Sequence, residues 1–149
     1  MLEEICTITF KILLTVVLSG LIGMERTVHN KVAGLRTHVL VGVGSALIVL
    51  TSYYIFDIYK DVTLVDPTRM IAGIVTGIGF LCAGTIMSSG GQISGLTTAA
   101  ALWTVSGIGM AVGAGYYLGA CIVSIVVFVV LSFARSFERL MGEKLKDIL

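Results

Sequence analysis

Lys11 lies well inside an apolar run spanning residues 5–23, where a central cation costs roughly 2.5–3.5 kcal/mol on an insertion scale. Its four-carbon stem would let the ammonium snorkel to the headgroups; its chemical use would be to pair with an acid, for which Asp66 is the candidate. Asp66-Pro67-Thr68-Arg69 opens a second apolar run as a helix start should, with an Asp acceptor at the cap and Pro at the first helical position. Capping needs no ligand, yet Asp57, Asp61 and Asp66 share one loop, and a hard cation such as Mg2+ prefers carboxylate oxygens and water. Asp66 is therefore the candidate metal contact, as ligand site or as part of a transport path.

A second charged constellation is formed by Glu25-Arg26 and by Ala33-Gly34-Leu35-Arg36-Thr37-His38. These segments bracket a short loop, so the expectation is mutual ion pairing at one membrane face, or a gate or docking surface built from the same charges. His29 and His38 read as interfacial residues, with no acid or thiol at metal-ligand spacing. Cys6, Cys82 and Cys121 lie in three separate runs without a C-x-x-C pair, which suggests neither a disulfide framework nor zinc. Thr97 and Thr98 begin another run, where each hydroxyl can bond a backbone carbonyl or a neighbouring helix. Ser88-Ser89-Gly90-Gly91 is read as a flexible turn between helices, because a phosphate loop needs a Lys that does not follow here. No nucleophile, base and orienting group share a spacing, so the chain is expected not to be an enzyme and to need no cofactor.

The elements that position these residues follow from composition. Of 149 residues, 56% are hydrophobic and 13% charged, with mean hydropathy +1.02, whereas soluble domains carry about 25% charged residues. A formal net charge of +1 leaves no field that would recruit nucleic acid. Five apolar runs, at 5–23, 35–56, 70–87, 96–112 and 116–133, approach the ~20 residues needed to span a bilayer. The last two are separate, since one helix over 95–133 would run about 58 Å at 1.5 Å per residue, and Gly113-Ala114-Gly115 supplies the turn. The acidic start Met1-Leu2-Glu3-Glu4 is unlike a secretory signal, so the first run is expected to remain as a helix.

Seven cations (Arg26, Lys31, Arg36, Arg135, Arg139, Lys144 and Lys146) fall on one side of this arrangement, against Lys60 and Arg69 on the other. Positive charge is retained on the cytoplasmic side, which predicts an outside N-terminus and a cytoplasmic C-terminus. Eighteen glycines against one proline imply close helix packing. Gly73-x-x-x-Gly77, followed by Gly79 and Gly84, is the most concentrated device, with Gly109-x-x-x-Gly113 and Gly115-x-x-x-Gly119 behind it. Together they predict a compact bundle or a homo-oligomer. The expected class is thus an all-α polytopic membrane protein, with a transmembrane domain over 1–134 and a cytoplasmic amphipathic tail over 135–149. In that tail Phe137, Leu140, Met141, Leu145 and Ile148 repeat at helical period, as an extension of the fifth helix lying on the membrane surface.

In order and spacing, Gly23-Met24-Glu25-Arg26, Ala33-Gly34-Leu35-Arg36-Thr37, Asp66-Pro67-Thr68-Arg69, Gly77-Ile78-Gly79-Phe80-Leu81-Cys82-Ala83-Gly84 and Gly95-Leu96-Thr97-Thr98-Ala99-Ala100 resemble the MgtC/SapB family of bacterial membrane proteins over residues 20–115. The resemblance implies an inner-membrane protein linked to growth at low magnesium. Some members look like regulators that bind other membrane proteins, the ATP synthase included, and magnesium transport has also been proposed for the family. Glu25, Arg26, Arg36, Asp66, Arg69, Thr97 and Thr98 are the polar residues to which such a role would fall. Cys82 departs from the family pattern by standing where glycine is usual, adding a side chain at a helix contact. The loop around Ser88, Ser89 and Ser94 is neutral where the virulence-associated branch is charged, and Thr97 stands where that branch has asparagine. Many members continue into a soluble C-terminal domain, which is expected to be absent from a chain ending at Leu149.

Overall fold

An apolar run in lipid has no water to satisfy its backbone, so it closes its hydrogen bonds within itself as a helix. The computed structural model describes residues 1–146, and side chains from residue 134 onward lie outside that description. Five helices and one hairpin make up the described chain: α1 Leu2–Val28, α2 Leu35–Tyr59, α3 Thr68–Ala83, β1 Met87–Ser89, β2 Gln92–Ser94, α4 Leu96–Gly113 and α5 Tyr117–Lys146. This is the all-α membrane protein that the composition predicts. α1, α2 and α4 are long and apolar enough to cross a membrane, while Thr68–Ala83 and Tyr117–Phe133 are shorter apolar stretches. The expected extension of the fifth helix into the tail is observed as far as Lys146; the amphipathic faces assigned to 135–149 lie outside the described side chains.

α4 is the central element and packs against α1, α2, α3 and α5. Its buried face carries Leu102, Val105, Ile108 and Val112 together with Gly109 and Gly113. Because lipid tails are as apolar as leucine, burial of apolar surface does not drive helix association in the bilayer; close packing and interhelical hydrogen bonds do. The distribution of residues follows that rule. Leu13, Val17, Leu40, Leu47, Phe80, Leu118 and Ile125 face outward, while Thr15, Ser19, Ser45, Ser52, Ser106 and Ser124 are buried. Ser45 and Ser106 join α2 to α4 by a hydroxyl pair at 2.8 Å. Thr15 and Ser124 instead donate to the carbonyls of Lys11 and Ala120 one turn back in their own helices.

The tightest crossing lies among α1, α2 and α4. A Cβ on Gly109 would meet the Gly42 backbone, and one on Gly42 would meet Ser19. One turn further on, Gly113 would approach the Ala46 carbonyl oxygen to 2.9 Å. Here the glycine reading needs correction within the chain: Gly73, Gly77 and Gly79 have open space on the Cβ side, and Gly84 comes only within 3.3 Å of the Leu81 carbonyl. Among the described residues the Gly-x-x-x-Gly pair that brings helices together is Gly109 and Gly113, not the one in α3.

Two further expectations change. The third apolar run extends over 70–87, but α3 ends at Ala83, giving a helix of about 24 Å at 1.5 Å per residue. The stretch read as a flexible turn is an antiparallel hairpin with Met87 opposite Ser94 and Ser89 opposite Gln92. Gly90 and Gly91 take φ +59° and +80°, the left-handed pair that a two-residue hairpin turn requires. The connection from α4 to α5 is as expected: Gly115 sits at φ +87°, and the Tyr116 amide donates to the Ala111 carbonyl at 2.8 Å.

Candidate functional site

Glu25 and Arg26 are buried although both carry charge, and His38 beside them is fully enclosed. Three local features hold them. α1 ends one turn later, with the His29 amide donating to the Glu25 carbonyl, and Asn30 at φ +52° reverses the chain. Thr27 Oγ1 then accepts from the Leu35 amide at 2.8 Å, so α1 supplies a side-chain acceptor for the first turn of α2. Gly23 permits the approach, since a Cβ there would lie 2.8 Å from Leu35 Cα and 2.9 Å from His38 Cβ.

Arg26 Nη1 donates to Glu25 Oε2 at 3.2 Å. His29 Nδ1 bonds the Glu25 carbonyl oxygen at 2.8 Å and stands 2.9 Å from Glu25 Oε1. That second contact lacks hydrogen-bond geometry, so it is an ion pair only when the imidazole is protonated. His38 Nδ1 bonds the Gly34 carbonyl at 2.8 Å. Arg26 Nε, His38 Nε2 and Ser19 Oγ have no partner among the described residues. Buried polar groups are paired in the great majority of cases, so these three atoms, with Glu25 Oε1 as a fourth, single the region out as the candidate site.

Beyond Arg26 opens a polar cavity of about 640 Å³, bounded by Asn30, Lys31, Thr97 and Thr98 and by Val130 and Leu131 of α5. The expected ion pairing between the two charged segments is not seen among the described residues: Glu25 and Arg26 pair with each other, while Arg36 is exposed and makes no ion pair. Thr98 is buried and Thr97 exposed. Sequence reasoning missed the orphaned His38, whose signal was a titratable residue seven places before Ser45 and fourteen before Ser52, on one face of α2.

At the other end of the bundle Asp66 is exposed, with Oδ1 accepting from the Thr68 amide at 2.9 Å and the Thr68 hydroxyl at 2.6 Å. Pro67 is the N-cap, one place later than the motif suggests. Arg69 is exposed beside it. Asp57 pairs with Lys60 at 3.1 Å, and among the described residues no three His, Cys, Asp or Glu side chains converge to hold a metal.

The Thr68 hydroxyl, and then its amide, hold the Asp66 carboxyl below its ordinary value. A depressed carboxylate contributes stability above its unfolded value, about 3.9, and loses it as pH falls through the lower folded value. The thermal midpoint should accordingly drop slightly more on acidification in the wild-type chain than in Asp66→Asn; parallel pH profiles would remove Asp66 from the cap.

Lys11 does not pair with Asp66. Its ammonium donates to the Gly113 carbonyl at 2.8 Å, at the C-terminus of α4, where the helix dipole favours a cation. Cys82 lies in the contact between α3 and α4, packed with Ala99 and Leu102, and its thiol donates to the Ala99 carbonyl at 3.2 Å. The added side chain thus makes an interhelical bond where glycine would make none.

The profile of the MgtC family matches residues 12–140. YhiD of Escherichia coli (strain K12) is 48% identical over 109 residues, covering 72% of this chain and 51% of that protein. Protein MgtC of Brucella abortus (strain 2308) is 41% identical over 118 residues, covering 79% and 47%. Protein SapB of Bacillus subtilis (strain 168) is 39% identical over 114 residues, covering 74% and 49%. The chain spans about half the length of these curated relatives. No solved structure matches it at a significant level. With its helical membrane fold and a family match running from the middle of α1 into α5, the chain belongs to the MgtC family.

Proposed function

We propose that this chain is a non-enzymatic inner-membrane protein of magnesium homeostasis that acts through helix contacts, with another copy of itself or with a different membrane protein such as the ATP synthase. The observation that carries the reading is an apolar groove of about 470 Å³ between α2 and α3, lined by Gly44, Gly73, Gly77, Ile48 and Leu81. Cβ atoms on those three glycines would meet nothing among the described residues, and small residues on a membrane helix let a second backbone approach closely. The link to magnesium rests on the family and on YhiD, whose name designates it provisionally a magnesium transporter. In the proposed orientation the Arg26, Lys31 and Arg36 end faces the cytoplasm, supported by the seven-to-two division of Lys and Arg.

The test is complementation of growth at low magnesium by a Gly77→Leu variant. The substitution fills the groove from an open position, so abundance should stay at the wild-type level while complementation is lost. Full complementation would take the groove out of the function.

A second reading, a path for Mg2+ or another cation, is favoured by a specific alignment. His38, Ser45 and Ser52 are buried at seven-residue intervals along α2, covering about 21 Å at 1.5 Å per residue. Ser52 Oγ donates to the Pro67 carbonyl at 2.6 Å, next to Asp66. Saturable magnesium entry into sealed liposomes, lost in Asp66→Asn, would establish the path; entry no faster than into empty liposomes, from folded and inserted protein, would leave the contact reading in possession.

A further inference from the structure

The cavity beyond Arg26 combines features that converge on one ligand chemistry. α4 starts at Gly95 with φ +90° and no side-chain cap, leaving the amides of Leu96, Thr97 and Thr98 without intrahelical acceptors. An uncapped N-terminus of an 18-residue helix favours an anion. Gly95 is required there, since a Cβ would run into the Thr85 carbonyl as well as the positive φ. Independently, Arg26 is 2% exposed, lines the same cavity and keeps Nε without a partner among the described residues although Nη1 is bound to Glu25. Lys31, exposed on the α1–α2 loop, adds a second cation to the lining, which contains no carboxylate among the described residues.

We propose that this cavity binds a phosphoryl group, with Arg26 and Lys31 as its cations and the first amides and threonine hydroxyls of α4 as its remaining donors. A guanidinium with a free N–H and a flexible ammonium suit a tetrahedral oxyanion, because charge-assisted bonds are shorter and stronger than neutral ones. Two sources carry that group: the headgroup of an anionic phospholipid and a soluble phosphoester. Val130 and Leu131 form an apolar wall beside the polar lining, where the chains of a lipid could lie, and basic pockets between membrane helices take such headgroups.

The test uses the full chain in neutral detergent. Native mass spectrometry reads retention of phosphatidylglycerol against phosphatidylcholine, and equilibrium dialysis reads binding of radiolabelled inorganic phosphate. One phosphatidylglycerol per chain should be held in preference to phosphatidylcholine. Lys31→Gln should weaken that binding about tenfold, as loss of one charge-assisted bond predicts. Arg26→Lys, which keeps the buried charge but removes Nε–H, should weaken it as well; if that variant does not fold, Lys31→Gln on the exposed loop carries the test. Saturable phosphate binding that Lys31→Gln weakens, without preference between the two lipids, would support the site and assign it to a soluble phosphoester. Absence of both phosphatidylglycerol preference and phosphate binding, or binding of either that Lys31→Gln leaves unchanged, would overturn the proposal.

Discussion

Glu25→Leu is expected to destabilise the folded chain by about 3–5 kcal/mol, the usual result of removing one partner of a buried ion pair. Most of that loss would come from Arg26. It is 2% exposed, and with Glu25 gone its guanidinium would lack its carboxylate at 3.2 Å while Nε already has no partner among the described residues. The double variant Glu25→Leu/Arg26→Leu should recover much of the loss, since an apolar pair of similar volume leaves no uncompensated charge. Denaturant titration in mixed micelles of the wild type, both single variants and the double variant closes the cycle. A Glu25→Leu chain within about 0.5 kcal/mol of wild type, the range of surface substitutions, would show that the pair is solvated rather than buried.

The second large effect is expected at Gly109. Alanine in its place gains up to about 1 kcal/mol of helix propensity, yet the added Cβ would lie 2.9 Å from the Gly42 carbonyl carbon and 3.1 Å from its Cα, with the carbonyl oxygen closer still. Backbone atoms cannot rotate aside as a flexible side chain can. The variant should therefore fall at the upper end of the overpacking range, about 3 kcal/mol below wild type. Gly107→Ala is the matched control, two residues away on the same helix with nothing near its Cβ, and it should be neutral or slightly stabilising. Equal stability of the two variants would mean that α2 and α4 do not cross at Gly42.

These two sites were legible in the sequence to different degrees. Glu25-Arg26 is visible as a charged pair at the end of an apolar run, and its place at a membrane face follows from that. Its burial does not follow, because enclosure depends on Gly23, where a Cβ would lie 2.8 Å from Leu35 Cα, letting α2 approach, and on Thr27 bonding the Leu35 amide. Gly109-x-x-x-Gly113 is equally visible, but sequence spacing could not rank it above Gly73-x-x-x-Gly77. Both are small pairs one turn apart, and only the placement of α2 shows which of them meets a backbone.

The hairpin at Met87–Ser94 could have been found beforehand. Gly90-Gly91 between short segments with apolar Met87 and Ile93 matches a two-residue turn with both φ positive. The expectation that polar serines mean a loose turn overlooked it. The pairing of Lys11 with Asp66 fails for a different reason: an intramembrane cation invites an acid at the same end of the bundle, while a helix C-terminus, which carries negative potential without any charged residue, holds it instead.

By itself, then, the sequence determined the class: helix number, approximate boundaries and the family motifs. Each depends on hydropathy, charge and spacing along one run, quantities that do not change on folding. The tertiary structure alone decided which glycines touch, that Arg26 and His38 are enclosed, that Asp66 is bound to Thr68 rather than to Lys11, and that the start of α4 faces Arg26 across a cavity. Those outcomes depend on rotations and approaches of about an ångström between helices far apart in the chain. In lipid, where apolar residues cover the outside and small polar ones the inside, hydrophobic periodicity no longer reports which face of a helix turns inward.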